Sequence, residues 1–260
     1  MGALSETAIA TGALALARRL REDVWVGIEV SPLFGYLRNR LPLPDPLSGM
    51  LAQTKYTLRG PGIQGMVGLT WLPHDLVSLG LGVRTPGAVW LDGSTEYAGG
   101  RRDVDLVIHM PTQVFAGSTL HVAERFDVSV AARWTDSSRF GRSDIEFAAV
   151  SLPLVPDAKD EWRTGIAAIF AARDDITVRG GVDYATAIVG DAGASPLLFD
   201  SDDVKIHAGA WYRLGSWTLH LTGGYQFEGE TGVAPGEALV LPGRYSNRGG
   251  IVLFGVEYRL

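Results

Sequence analysis

The sequence predicts an all-β fold, a transmembrane antiparallel β-barrel of about eleven strands. Three observations carry this. Apolar and polar residues alternate with a period of two over most of the chain; the connections alternate between tight and long; and no apolar run approaches the roughly 20 residues that a membrane-spanning helix needs. Glycine at 33 residues favours strands and turns over helices.

The alternation is clearest near the carboxyl end. From Trp217, the residues Leu219, Leu221, Tyr225 and Phe227 are apolar, and Thr218, His220, Thr222 and Gln226 between them are polar. Before it, Val204, Ile206, Ala208, Ala210 and Tyr212 alternate with Asp203, Lys205, His207, Gly209 and Arg213, so the two segments read as a hairpin turning at Gly215. The same phase runs through Val24 to Val30, Val104 to Met110, Phe126 to Trp134 and Val252 to Tyr258, and more weakly through Val77 to Val83, Trp162 to Phe170 and Ile176 to Tyr184.

Tight connections are expected at Arg21-Glu22, Pro73-His74, Ala123-Glu124, Asp174-Asp175 and Gly215. Long ones are expected near residues 38–53, 92–100, 152–160, 190–201 and 228–243. Sorting by length in this way is what an outer-membrane barrel shows, with short periplasmic turns and long extracellular loops. Two segments, 54–72 and 103–122, are long enough to project beyond a bilayer, which a tilted strand crosses in about 9 to 11 residues. Pro61, Pro86 and Pro111 interrupt the long segments and predict bulges or kinks, since each removes a ladder donor.

Composition excludes several functions. The net charge of −6 and a pI near 5.4 leave no basic stripe for nucleic acid. Without cysteine there is no disulfide, thiolate metal site or thiol nucleophile. Residues 1–260 are read as a single barrel domain. Near the start, Arg18, Arg19 and Arg21 follow the apolar stretch, the reverse of the order in a secretory signal.

The segment Leu106-Val-Ile-His-Met-Pro-Thr-Gln-Val-Phe-Ala-Gly117, then Phe126 to Trp134 and Ser138-Arg-Phe140, resembles the FadL/TodX family of outer-membrane hydrophobic-compound transporters. Further matches follow in family order: Pro42-Leu-Pro-Asp-Pro-Leu-Ser-Gly49, Gly65-Met-Val-Gly-Leu-Thr-Trp-Leu-Pro73, Leu79-Gly-Leu-Gly-Val-Arg84, Asp160-Glu-Trp-Arg-Thr-Gly165, and Tyr245-Ser246 through Leu253-Phe-Gly-Val-Glu-Tyr258. The resemblance implies a FadL-like barrel of about fourteen strands with an amino-terminal plug, which takes up fatty acids or aromatic hydrocarbons and releases them through an opening in the wall. This chain would supply the last eleven strands, without signal, plug or first strands. It ends in Leu260 where the family usually ends in phenylalanine; Phe254 and Tyr258 keep the character of the assembly signal.

The expected function is outer-membrane transport of hydrophobic small molecules by passive diffusion through the lumen, with no enzyme activity and no cofactor. Burial at roughly 25 cal/mol per Å² would hold a small ligand without a covalent step. Expected partners are the ligand, outer-membrane lipid and lipopolysaccharide, and the barrel assembly machinery acting on the last strand; the protein is expected to be a monomer. Alternatives are a soluble β-rich ligand-binding module, whose half-buried strands would alternate too, and an outer-membrane lipid hydrolase.

Arg84, Arg133, Arg139 and Arg142 lie on polar strand faces or beside them and are the candidate ligand-binding residues, joined by Arg179 and Arg213; a guanidinium in a low-dielectric lumen bonds a carboxylate strongly. The competing reading pairs them with Asp127, Asp144 or Asp183 and leaves them to hydrate the lumen. Asp144 stands where the family carries a basic residue, a departure that suits a neutral hydrocarbon better than an anion.

Gly60, Gly62 and Gly65 satisfy a bare G-x-G-x-x-G but sit inside a strand pattern with no helix after them, so a glycine-kinked strand is the reading. The five histidines show no metal-ligand spacing. No G-x-S-x-G elbow is present; serine, histidine and aspartate all occur, but a triad is defined by geometry that spacing does not reveal. Trp25, Trp71, Trp90, Trp134, Trp162, Trp217 and Tyr258 lie near strand ends, where interfacial girdles require aromatics.

Overall fold

The computed structural model describes residues 4–44, 51–97, 100–142, 144–147, 150–153, 158–189, 201–233 and 243–258. In chain order the strands are β1 (Leu4–Thr11), β2 (Leu14–Arg21), β3 (Val24–Pro44), β4 (Leu51–His74), β5 (Val77–Arg84), β6 (Gly87–Tyr97), β7 (Gly100–Met110), β8 (Gln113–Ala123), β9 (Phe126–Thr135), β10 (Asp144–Phe147), β11 (Val150–Pro153), β12 (Glu161–Ala171), β13 (Ile176–Ala185), β14 (Asp203–Leu214), β15 (Trp217–Val233) and β16 (Gly243–Tyr258). A short 3-10 helix, Ser137–Arg142, follows β9.

All sixteen strands join one antiparallel sheet. They amount to eleven passes, because three passes are interrupted once each, between β1 and β2, β5 and β6, and β7 and β8, and because β10–β11 is a separate hairpin. The count agrees with the periodicity. Among the described residues, β1–β2 and β16 form the two edges of the sheet, and no ladder joins them.

On one side the passes are linked at Glu22-Asp23, Asp75-Leu76, Glu124-Arg125, Ala172 to Asp175, and Gly215-Ser216, each within a residue or two of the expected turn. Leu214 pairs with Trp217 across the last of these, and Gly215 has φ 61°, the left-handed conformation that a two-residue hairpin turn demands. The long connections lie on the other side, but three are shorter than expected. Strands β3 and β4 pair out to Pro44 and Leu51, β6 and β7 out to Tyr97 and Gly100, and β15 and β16 out to Val233 and Gly243, so part of residues 38–53, 92–100 and 228–243 is ladder. Polar residues there are compatible with a strand because its outward face meets water, with Lys55, Thr57 and Arg59 exposed.

The prolines behave unequally. Pro86 and Pro111 fall at strand breaks as expected, whereas β4 runs through Pro61 unbroken. Pro61 keeps its place opposite Phe34 of β3, and the missing donor shows only as a gap in the β6 ladder between Arg59 and Gly62. Gln64 compensates the two breaks: its Nε2 donates to the carbonyl oxygens of Thr85 at 3.0 Å and Pro111 at 3.1 Å. The first break lies level with these, where the Gly12 amide donates to Pro32 O at 3.0 Å. Together these positions form a crease across the sheet.

Between the crease and the tight turns, apolar side chains point outward in register. Leu16, Ile28, Val67, Val83, Val114, Trp134 and Trp162 are successive cross-strand partners, and Ile166, Val182, Ile206 and Tyr225 continue the band. Most of this band is exposed, Ile166 at 50% for example, as lipid-facing residues must be. Trp71, Trp217 and Tyr258 close it at the turn side and Trp134 and Trp162 at the other, the two girdles expected; Trp25 does not belong to them, because it faces inward beneath Arg19.

Beyond the crease the sides exchange character. Leu33 and Leu37 of β3, Tyr56 and Leu58 of β4, Val89 and Leu91 of β6, and Val104, Leu106 and Ile108 of β7 form a closed apolar core on the inward face. The sheet coils tightly enough there for β3 and β6 to meet across β4, since a Cβ on Gly35 would lie 2.7 Å from Val89 Cγ1; between the neighbouring strands β4 and β6, one on Gly60 would lie 1.8 Å from Trp90 O. The glycines of the G-x-G-x-x-G segment therefore serve close strand packing inside β4, as their strand context predicted.

Candidate functional site

The inward face between crease and turns has three levels. Nearest the crease is a charged belt centred on Arg163 of β12. Its Nε lies 3.1 Å from Glu161 Oε1, its Nη1 2.5 Å from Asp183 Oδ1 and its Nη2 3.4 Å from Asp203 Oδ2. Arg133 of β9 adds Nη2 contacts of 2.8 and 3.1 Å to the two oxygens of Glu161. Lys205, His207 and Gln226 complete the belt through Asp203 and Asp183.

The ladder explains this meeting. Arg133 and Arg163 are direct cross-strand partners, and like charges so placed repel. Glu161, two residues along the same face, bridges them. Strand register thus converts a local repulsion into a shared ion pair.

At mid-height the inward side chains shrink. Ala17, Gly27, Gly68 and Gly82 follow one another across four passes, and Gly80, Gly117, Ala131 and Gly165 across four more ladder positions. These small residues leave a cavity of about 880 Å³, whose wall also includes Trp25, Met66, Phe115 and Ala167 and reaches Arg133, Arg163, Asp183 and His207 of the belt. Its lining is mostly apolar, and its size lies within the range of small-molecule sites.

The third level, near the tight turns, is polar again. Thr119 and Ser129 share a hydrogen bond of 2.8 Å, Arg179 Nη2 donates to Thr222 Oγ1 at 2.9 Å, and the Arg179 guanidinium lies 5.3 Å from the Trp211 ring centroid. His121 lies between Ser78 and Asp127.

The four candidate arginines are not gathered in one place. Arg84 and Arg133 both face inward near the crease. Arg84 Nη1 donates to Gln113 Oε1 at 3.4 Å, and the guanidinium lies 5.8 Å from the centroid of Phe115, a cavity-lining ring. Among the described residues no carboxylate pairs with Arg84. Arg139 sits in the 3-10 helix with its Nε on Asp136 Oδ2 at 2.8 Å; the side chains of Arg142 and Asp144 lie outside the described residues. Arg133 pairs with Glu161 and not with any of the three aspartates considered, while Asp183 takes Arg163 and Asp127 takes His121.

Arg163, the centre of the belt, is not among the arginines that the sequence predicts as ligand-binding. The signal that could have found it is its phase: Glu161, Arg163 and Gly165 alternate with Trp162, Thr164 and Ile166, which puts both charges on the inward face. Among the described residues no group of side chains is arranged to hold a metal ion.

No family model matches the sequence, and no curated protein matches it. Solved structures do match in fold. A FadL homologue of Pseudomonas aeruginosa aligns with a TM-score of 0.74 at 18% identity, covering 98% of this chain and 67% of its own. The toluene transporter TbuX of Ralstonia pickettii aligns with a TM-score of 0.71 at 15% identity, covering 98% of this chain and 68% of its own. The monoaromatic hydrocarbon channel CymD gives 0.71 at 15%, covering 86% of this chain and 70% of its own. One sheet of eleven antiparallel passes, turned apolar side out around a small-residue lumen, thus has the fold of the FadL-like β-barrels.

Proposed function

We propose that this chain forms the wall of an outer-membrane channel through which small hydrophobic molecules, fatty acids or hydrocarbons, diffuse passively. The observation that supports this is the apolar cavity of about 880 Å³ on the inward face, made by glycine and alanine in register. The match in fold to toluene and hydrocarbon channels supports the same reading. The outward apolar band would face lipid and lipopolysaccharide, β16 would present the signal read by the assembly machinery, and the protein would act as a monomer without enzyme chemistry being needed for passage.

Of the four candidate arginines, Arg84 and Arg133 would meet the ligand in the lumen, and Arg139 and Arg142 would lie on its approach from the long-loop side. Arg84 is the residue that would distinguish ligands, since it has no carboxylate partner among the described residues and rests on a cavity-lining ring. Uptake into liposomes carrying the protein tests both statements. Toluene and a medium-chain fatty acid should both enter faster than into empty liposomes, and Arg84→Ala should slow the fatty acid several-fold while leaving toluene unchanged. Uptake equal to that of empty liposomes would remove the transport reading.

A further inference from the structure

We propose that Ser78, His121 and Asp127 form a nucleophile–base–orienter triad at the turn-side end of the lumen, able to hydrolyse carboxylic esters of small apolar groups. Ser78 Oγ lies 3.4 Å from His121 Nε2, and His121 Nδ1 lies 2.8 Å from Asp127 Oδ1. With the aspartate accepting from Nδ1–H, Nε2 is left as the acceptor for the serine proton. That is the division of roles that activates a hydroxyl, and it is recognised by geometry on any fold.

The three residues come from three adjacent strands by register. Ser78 on β5 and His121 on β8 share the inward face of neighbouring strands, and His121 is the direct cross-strand partner of Asp127 on β9. The serine–histidine distance is at the long end for a hydrogen bond, as such contacts often are before substrate tightens them. The histidine is half-buried, and the site adjoins the cavity: Gly80 and Ser129 line it, each two residues along the same face from Ser78 and Asp127.

An oxyanion would have a donor at hand. Thr119 stands directly opposite Ser78, and its hydroxyl is hydrogen-bonded to that of Ser129 at 2.8 Å. One hydroxyl proton serves that bond, which leaves the second free to donate to a developing negative charge.

In the reaction Ser78 Oγ bonds to the ester carbonyl carbon as its proton passes to His121 Nε2. The tetrahedral adduct collapses, the carbon–oxygen bond to the alcohol breaks, and the alcohol leaves with the proton from His121. Water then attacks the acyl-serine with His121 again taking a proton, releasing the carboxylic acid and restoring the hydroxyl. Asp127 is a positioning residue in this scheme.

This activity is additional to transport and is read without it. The folded protein in detergent micelles should form a covalent adduct with a fluorophosphonate probe that peptide mass spectrometry places on Ser78, and it should hydrolyse p-nitrophenyl butyrate. Ser78→Ala and His121→Ala should each lower hydrolysis at least a hundredfold, while the outward-facing Ser118→Ala should leave it unchanged. Asp127→Asn should lower kcat with KM little altered, and Asp127→Glu should restore part of the loss. Heat-modifiable mobility on gels reports folding of each variant. Absence of an adduct on Ser78 in the folded wild type would overturn the proposal whatever the variants do, and so would a Ser78→Ala variant that hydrolyses at the wild-type rate.

Discussion

Strand β4 passes through two environments, and its halves make opposite choices. Toward the tight turn its outward residues Val67, Leu69 and Trp71 are apolar, and its inward residues Met66, Gly68 and Thr70 leave room for a cavity. Toward the long loops its outward residues Lys55, Thr57 and Arg59 are polar and exposed, and inward Tyr56 and Leu58 are buried, Leu58 completely. Side-chain parity never changes along the strand; only the solvent outside it does. The exchange falls at the crease marked by Gln64, Thr85 and Pro111, which marks that level as the boundary of the outward apolar band. Below it, among the described residues, no inward apolar core is buried and the ladder holds the strands, and under the proposed function lipid would cover the outward band; above it an ordinary buried core holds them.

That contrast can be broken by substitution. The largest effect is expected at the core above the crease, where Leu58→Ala should cost about 2–5 kcal/mol through lost transfer and the cavity it leaves. Hydrogen exchange should show β3, β4, β6 and β7 losing protection beyond the crease while β12 to β15 keep theirs. Loss spread evenly over the sheet would mean that the two regions are one cooperative unit.

Next in size is a charge placed outward on either side of the boundary. Ile166→Arg, at mid-height of β12, should destabilise the protein in bilayers by about 2–4 kcal/mol, the cost of arginine near the membrane midplane. Thr57→Arg, on the outward face above the crease, should change the unfolding midpoint by less than measurement error. Equal costs at the two positions would move the boundary.

The smallest effect is expected in the connection between β13 and β14. Asp202 accepts a hydrogen bond from the Tyr184 hydroxyl and another from the Ala187 amide at 2.9 Å, and these hold its carboxyl below the ordinary carboxylate range. Because the folded value is depressed, the stabilisation is fully present above the unfolded carboxylate range and is lost as pH falls through the lower folded value. Exchange of the Ala187 amide should therefore lose protection in acid in the wild type. Asp202→Asn should abolish that pH dependence.

Much of the architecture was legible because a strand's two faces are written directly in alternate residues. The eleven passes, the tight turns near 22, 75, 124, 174 and 215, and the inward phase of Arg84 and Arg133 all follow from that rule. The inversion within β4 is also written in the sequence, as polar Lys55, Thr57 and Arg59 share a phase with apolar Val67, Leu69 and Trp71 inside the segment 54–72, which the sequence predicts as one long projecting strand. The unequal prolines were not legible. Whether a missing donor breaks a strand depends on whether the ladder on its other side still holds, as it does at Pro61.

By itself, the sequence determined which side chains share the outward face and which share the inward one, since covalent geometry alternates them whatever the neighbours are. Only the tertiary structure decided which inward groups meet. Register placed Glu161 between Arg133 and Arg163 and put His121 between Ser78 and Asp127, residues up to 49 positions apart in the chain. The physical reason is range: alternation is local to a strand, whereas register is fixed by hydrogen bonds and packing across strands, and a slip of one residue would turn every one of these groups to the opposite face.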